Sequence, residues 1–277
     1  MKTLLSIILL SLINISAAQQ LAPKWESEPV FNVPESVYFD AETELLYVSN
    51  IVGNPSEKDK QGFISLVEKD GKIKNLKWVT GLYAPKGMAI QNGKLYVTDI
   101  DRIAIININK GEIEKFIPVP EAKFLNDMVF DNNGTLYISG TGTNAIYKLR
   151  NGQIEKWLSD NPLIAYPNGL AFEHNKVLIG TDKGLVSIDP YTKETTLLIE
   201  HQGGIDGLIP LGNNKYIVSD WMGKTELIST LNEPIILRNT TDQKINSADL
   251  GFIKESNTIL IPTFFDNRIT ALDFIEK

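Results

Sequence analysis

Short apolar runs alternate with turn residues along the chain from about residue 20 onward. The stretch KFLNDMVFDNNGTLYISGTG, Lys123 to Gly142, shows the unit most clearly. Met128-Val129-Phe130 and Leu136-Tyr137-Ile138 flank Asp131-Asn132-Asn133-Gly134, which predicts a β-hairpin. The hairpin recurs as PESVYFDAETELLYVSN (34–50), PKGMAIQNGKLYVTD (85–99), LNDMVFDNNGTLYISG (125–140), PNGLAFEHNKVLIGT (167–181), IDGLIPLGNNKYIVSD (205–220) and SADLGFIKESNTILIPTF (247–264). The second residues of these copies, Glu35, Lys86, Asn126, Asn168, Asp206 and Ala248, are spaced 51, 40, 42, 38 and 42 apart. A period near 40 built from short strands predicts a β-propeller. Helical repeats of similar period do not fit runs that are rich in Val, Ile and Tyr and broken by Gly, Asn or Asp.

Each hairpin is followed by two weaker strands, as in RIAIININKG and EIEKFIPVP. The expected fold is therefore all-β, a six-bladed propeller of four-stranded antiparallel blades. The last repeat runs out at RITALDFIEK, one strand short. KWESEPVFNVP (24–34) is similar to KWVTGLYAP (77–85), so residues near 24–33 are expected to supply the missing strand and close the ring. NIVGNPSEKDKQG (50–62) is an insertion that accounts for the spacing of 51. Residues 19–277 are then used up by one domain.

The beginning of the chain breaks this pattern. MKTLLSIILLSLINISAAQQ has one Lys, an apolar core from Leu4 to Ile15, and Ser16-Ala17-Ala18 ahead of Gln19. The core is shorter than the roughly 20 residues of a membrane span, so residues 1–18 are expected to be a cleaved signal peptide. Export to a periplasm or the exterior follows, with no membrane association after cleavage, and a monomer is expected. A net charge of −7 argues against a nucleic-acid partner. The absence of Cys excludes disulfides, thiolate catalysis and zinc–cysteine sites, and with only two His no multi-His metal cage can form.

In a propeller the first strands line the central channel, so equivalent repeat positions face one another across the axis. The second-position residues then form a ring at one channel mouth. Either these polar groups face a wet channel, or they hold a hard cation. Glu35, Asn126, Asn168 and Asp206 offer only oxygen donors with two negative charges, the preference of Ca²⁺, although another divalent cation is compatible.

The strand starts ESVYFD, FLNDMVFD, PNGLAF and GIDGL resemble those of the SMP-30/gluconolactonase/LRE-like family, six-bladed calcium propellers, over about residues 24–277. The resemblance implies that Glu35, Asn168 and Asp206 hold a catalytic Ca²⁺. It implies that Asn126 ligates the ion or orients water and substrate, with Asp127 as a nearby acidic group. The implied activity is hydrolysis of a lactone or similar ester, with Asp206 or Asp127 activating water or attacking directly. The alternative is a non-catalytic binding or sensory propeller with a structural ion.

Phe124 stands where sugar-lactonase members carry Arg, so a more apolar small-molecule substrate is expected, in contact with Phe124, Trp221 and the Phe264-Phe265 pair. Lys86 is expected to point away from the ion or pair with Asp99 or Asp101, or else to bind an anionic substrate group. His201, five residues before Asp206 on a loop toward the mouth, is a candidate substrate or base residue.

Overall fold

The computed structural model describes residues 19–276; the expected signal peptide at residues 1–18 lies outside the described residues. The chain forms six four-stranded antiparallel sheets, each a blade. Blades 1 to 5 use strands consecutive in sequence, beginning with Pro34–Asp40, Pro85–Gln91, Leu125–Phe130, Leu170–Glu173 and Leu208–Gly212. Blade 6 takes Gly251–Ile253, Thr258–Pro262 and Ile269–Ile275 from the end of the chain and Gln20–Glu26 from its beginning.

The closing strand is shifted from the residues expected for it. It spans Gln20–Glu26, pairs Trp25 with Ala271 and Glu26 with Thr270, and then stops. Pro29 cannot donate to a ladder, and Phe31 is drawn into the core between blades 6 and 1, so residues 27–33 form the crossover instead. The likeness to residues 77–85 is real at the two Trp residues. A Cβ added to Gly71 would meet the Trp25 ring, and one added to Gly111 would meet the Trp78 ring. Each indole thus covers a glycine turn, leaving room for no side chain there.

Six buried apolar clusters occupy the six interfaces between neighbouring blades. Met88, Leu95 and Val97 of blade 2 meet Tyr47 and Ile64 of blade 1, and Leu250 and Ile259 of blade 6 meet Ile209 and Ile217 of blade 5. The alternation of the strands explains this arrangement: both faces of every blade are covered, so both sets of alternate residues are apolar.

The inner strands share a local irregularity that decides the site. In blades 1, 2 and 3 the ladder runs from Pro34↔Asn50 to Val37↔Val48, from Pro85↔Asp99 to Met88↔Val97, and from Leu125↔Gly140 to Met128↔Ile138. Two residues therefore stand opposite one, which is a β-bulge. A hydroxyl on the facing strand satisfies the freed main chain. Ser36 and Asp127 donate N–H to Ser49 Oγ and Ser139 Oγ at 3.0 and 2.8 Å, and the Thr98 hydroxyl, 3.3 Å from the Gly87 carbonyl, donates across to the Asn126 carbonyl of blade 3. In blade 5, Gly207 N–H donates to Ser219 Oγ at 2.8 Å just ahead of the inner strand. The second and third residues of a repeat thus leave the ladder together.

The third residues are Ser36, Gly87, Asp127, Gly169, Gly207 and Asp249. Three are glycines because adjacent inner strands approach closely at this level. A Cβ on Gly207 would lie against the Leu250 amide and side chain, and one on Gly169 against the Asp206 carbonyl. Gly207→Ala is expected to lower the melting temperature by about 5–10 °C, the effect of overpacking a rigid core by one methyl. Thermal unfolding followed by circular dichroism measures it.

Candidate active site at the channel mouth

A cavity of about 350 Å³ opens at one end of the channel, lined by Glu35, Lys86, Asn126, Asn168 and Asp206, with Phe124, Trp221, Phe264 and Phe265 as its apolar wall. The ring residues expected from the repeat are therefore gathered in one place, except Ala248, which is buried in a cluster with Ile51 and Phe264. Trp221 comes from the turn between the second and third strands of blade 5, and Phe264-Phe265 from the equivalent connection in blade 6. These rings stack edge to face, with centroids 5.5 Å apart for Trp221 and Phe264 and 4.8 Å for Phe264 and Phe265.

The carboxamides are oriented by their own nitrogens. Asn168 Nδ2 donates to Asp206 Oδ1 at 2.8 Å, and Asn126 Nδ2 reaches Thr141 Oγ1 at 3.4 Å. Both amide oxygens are thereby left for the cavity. Glu35 is 5% exposed, and its Oε2 is buried with no hydrogen-bond partner among the described residues. An orphaned buried carboxylate oxygen is costly unless a cation or donor meets it.

Below this ring lies a second layer that the repeat reading overlooked. Asp127 and Asp249 belong to blades 3 and 6, half the ring apart, so they face each other across the axis. Asp249 Oδ2 accepts a 2.6 Å bond from Ser36 Oγ. Asp127 accepts main-chain N–H bonds from Met128 and Leu170, both at 2.6 Å. The Leu170 bond clasps blade 3 to blade 4. Asp127, expected as a catalytic group, does not line the cavity; both of its oxygens are spent on the main chain. The signal for this layer was present in the sequence, since the third repeat positions carry Asp only in two blades related across the ring.

Four carboxylates in such a small buried space repel protonlessness. Burial, then Asp206 and Asp249, pushes Glu35 well above the usual carboxylate range, with Lys86 opposing. Burial and then Asp127 do the same to Asp249. Burial raises Asp206 to about 7, with Asp249 adding to it and the Asn168 bond resisting. Asp127 is also raised to about 7 by burial, against the two main-chain bonds that favour its anion.

Lys86 lies in the ring without a carboxylate partner. The residue is 1% exposed, and its ammonium donates to the carbonyls of Pro55 and Ala84 at 3.1 Å each and sits 4.3 Å from the Phe124 ring centroid. Burial lowers it to about 8, and the nearby Glu35 charge limits the fall. The expected pairing with Asp99 or Asp101 does not occur. Asp99 is held by Arg102 at 2.8 Å and by the Tyr83 and Ala84 amides, and Asp101 by Lys58. The Pro55 carbonyl, on the blade 1 insertion, takes the place of an acid.

His201 is not brought to the mouth. It follows the outermost strand of blade 4, so the chain still has the width of a blade to cross before Asp206. Its Nε2 lies 2.9 Å from Glu226 Oε2, buried at the boundary of blades 4 and 5. His174 is on an exposed turn.

Among the described residues no three His, Asp or Glu side chains form a ready-made metal cage. The mouth offers instead the carboxylates of Glu35 and Asp206, the former with its orphaned Oε2, and the two carboxamide oxygens of Asn126 and Asn168. That donor set suits a hard divalent cation completed by water.

No family model matches the chain, and no curated relative matches it in sequence. Solved structures do match. A streptogramin B lyase superposes with a TM-score of 0.65 at 13% identity, covering 93% of this chain and 98% of its own. A protein provisionally called a gluconolactonase gives 0.65 at 14% identity, with 93% of each chain covered. A catalytically inactive virginiamycin B lyase from Staphylococcus aureus with quinupristin gives 0.57 at 15% identity, covering 93% and 99%. At these identities the likeness shows the six-bladed propeller fold, shared with enzymes, and carries no activity to this chain.

Proposed function

We propose that this protein is an exported, cation-dependent hydrolase of an apolar lactone or similar ester, with its active site at the Glu35–Asn126–Asn168–Asp206 mouth. The observation that carries this reading is the orphaned Glu35 oxygen among four mutually repelling buried carboxylates, directly beneath an aromatic-walled cavity. Glu35, Asn126, Asn168 and Asp206 would hold the ion, and Ca²⁺ fits their oxygen donors best. When bound, it would supply Lewis acidity at the acyl carbonyl oxygen.

The rest falls to the chain itself. Asp206 Oδ1 is fixed by Asn168 Nδ2, which leaves Oδ2 as the acceptor for the proton of an attacking water. Hydrolysis adds that water across the acyl C–O bond: the carbonyl carbon takes the hydroxyl and the alcohol oxygen takes a proton. Phe124, Trp221, Phe264 and Phe265 exclude bulk water and hold the apolar part of the substrate. Lys86 gives two of its three N–H groups to Pro55 and Ala84 and keeps one for a substrate oxygen.

A panel of neutral lactones and aryl esters, assayed with Ca²⁺ and with chelator, tests the proposal. Chelator-sensitive turnover with uptake of one solvent oxygen into the acid product is expected. Turnover without oxygen uptake would indicate elimination, the chemistry named for the lyase neighbours. Absence of turnover together with calcium-dependent melting would favour a binding module.

A further inference from the structure

The mouth cavity has a neighbour. A second chamber of about 400 Å³ adjoins it and shares Asn168, Asp206 and Trp221 as a common wall. Its outer side is formed by Tyr166, by Thr141, and by the Gly203-Gly204 turn. The two carboxylate-and-amide residues that face the reacting bond in the proposed function are thus reached from both sides. Trp221, 40% exposed, stands between the chambers.

The backbone of Tyr166 is fixed by its N–H, which donates to Asn144 Oδ1 at 2.8 Å, but its ring is left open to the chamber. Its side chain is 66% exposed, and its backbone is left-handed, with φ of 50°. A bulky residue in that region costs about 1–2 kcal/mol, and so exposed a ring recovers little of that by burial. Phe264, on the wall of the first cavity, shows the same left-handed backbone with φ of 51°. Strained aromatic residues therefore stand one on each side of Asn168 and Asp206. Left-handed residues also occupy the connections of blades 1 and 2 equivalent to that of Phe264, at Val52 and Ile100, so what sets Tyr166 apart is its open ring against the second chamber.

We infer that the second chamber is a substrate subsite that takes a flat apolar group between Tyr166 and Trp221. The inference rests on the proposed hydrolase reading and extends it: the substrate is an extended ester with an apolar ring on each side of the scissile bond, in place of a compact monocyclic lactone. A monocyclic lactone fills only part of one chamber, since pockets of this size take drug-sized ligands.

The test compares benzyl phenylacetate with methyl phenylacetate, which differ only beyond the scissile oxygen. Burying a second ring should raise kcat/KM for the benzyl ester about tenfold or more over the methyl ester. Tyr166→Gly removes the ring at a backbone conformation that glycine adopts freely. It should hold or raise the melting temperature and reduce the benzyl-to-methyl ratio about tenfold. A binding arm does not depend on turnover: the unreactive N-benzylphenylacetamide should quench tryptophan fluorescence in the wild type. The quench should vanish in Trp221→Phe and weaken in Tyr166→Gly. If neither ester is turned over but the amide binds in this way, the hydrolase reading fails and the subsite stands. An unchanged ester ratio in Tyr166→Gly, or amide binding that ignores Tyr166, overturns the subsite.

Discussion

Asp206→Asn is expected to abolish turnover, by about 10³-fold or more, while raising the melting temperature of the calcium-free protein at pH 8. The two effects have one cause. Asp206 is buried among Glu35, Asp127 and Asp249, and without a cation its charge is repelled by Asp249 and penalised by burial. An amide of the same shape removes that repulsion and stabilises the empty protein, by several degrees. The same change halves the negative charge of the proposed ligand set and removes the carboxylate that takes the proton from water. A gain in stability coupled to a loss of activity marks a functional residue held at structural cost. Measuring melting in chelator beside kcat/KM with Ca²⁺ separates this outcome from simple misfolding, in which both would fall. Equal activity of wild type and variant would remove Asp206 from the chemistry.

The second large effect is a pH dependence that the cation cancels. Asp206 and Asp127 are raised to about 7 in the folded state, from an ordinary value near 4 in the unfolded chain. Between those values the native state binds more protons than the unfolded state. The associated stability is therefore complete below about pH 4 and is lost as pH rises through about 7. Glu35 and Asp249 shift in the same direction and add to the trend. In chelator the melting temperature is expected to fall between pH 5.5 and pH 8 by about 10 °C, corresponding to a few kcal/mol for a domain of this size. With saturating Ca²⁺ the slope should flatten, because the ion replaces the protons as the compensating charge. A calcium-free protein equally stable at both pH values would show that the four carboxylates are not coupled as their burial requires.

The architecture was legible because a propeller writes its blades in the sequence one after another. Six hairpin starts at a near-constant period carried the blade number, the strand count and the place of the ring residues. Closure by the N-terminus was legible from the shared Lys-Trp of residues 24–25 and 77–78, though the strand lies at Gln20–Glu26. The difference arises because two more residues separate Trp25 from Pro34 than separate Trp78 from Pro85, and the crossover absorbs them. The aromatic wall was also foreseeable, since the connections bearing Trp221 and Phe264 emerge on the face where inner strands begin.

Three features were overlooked for distinct reasons. Asp249 stands in the repeat position after Ala248, ahead of the paired Gly251–Ile253 strand, and only the fold shows that this position meets Asp127 of the opposite blade. Lys86 was expected to need an acid, because pairing logic sees charges and not carbonyls; the blade 1 insertion supplies Pro55 O instead. His201 is near Asp206 in sequence, but one blade width of chain separates them in space. Periodicity fixes which residues are equivalent, while distances across a blade depend on how the connections run.

The pairing that closes the ring joins Lys24 to Asp273, 249 residues apart. Every other blade is assembled from neighbouring strands and can form as soon as its own segment is made. Blade 6 alone waits for the last segment of the chain. During synthesis the Gln20–Glu26 strand, made before the rest of the ring, is therefore also the one that remains unpartnered longest, and a product truncated before Ile269 keeps an open sheet edge at both ends of the ring. The circle thus acts as a length check: only a polypeptide that contains both Gln20–Glu26 and Ile269–Ile275 can hide its edges, and one interrupted between them stays exposed to proteolysis or to other copies.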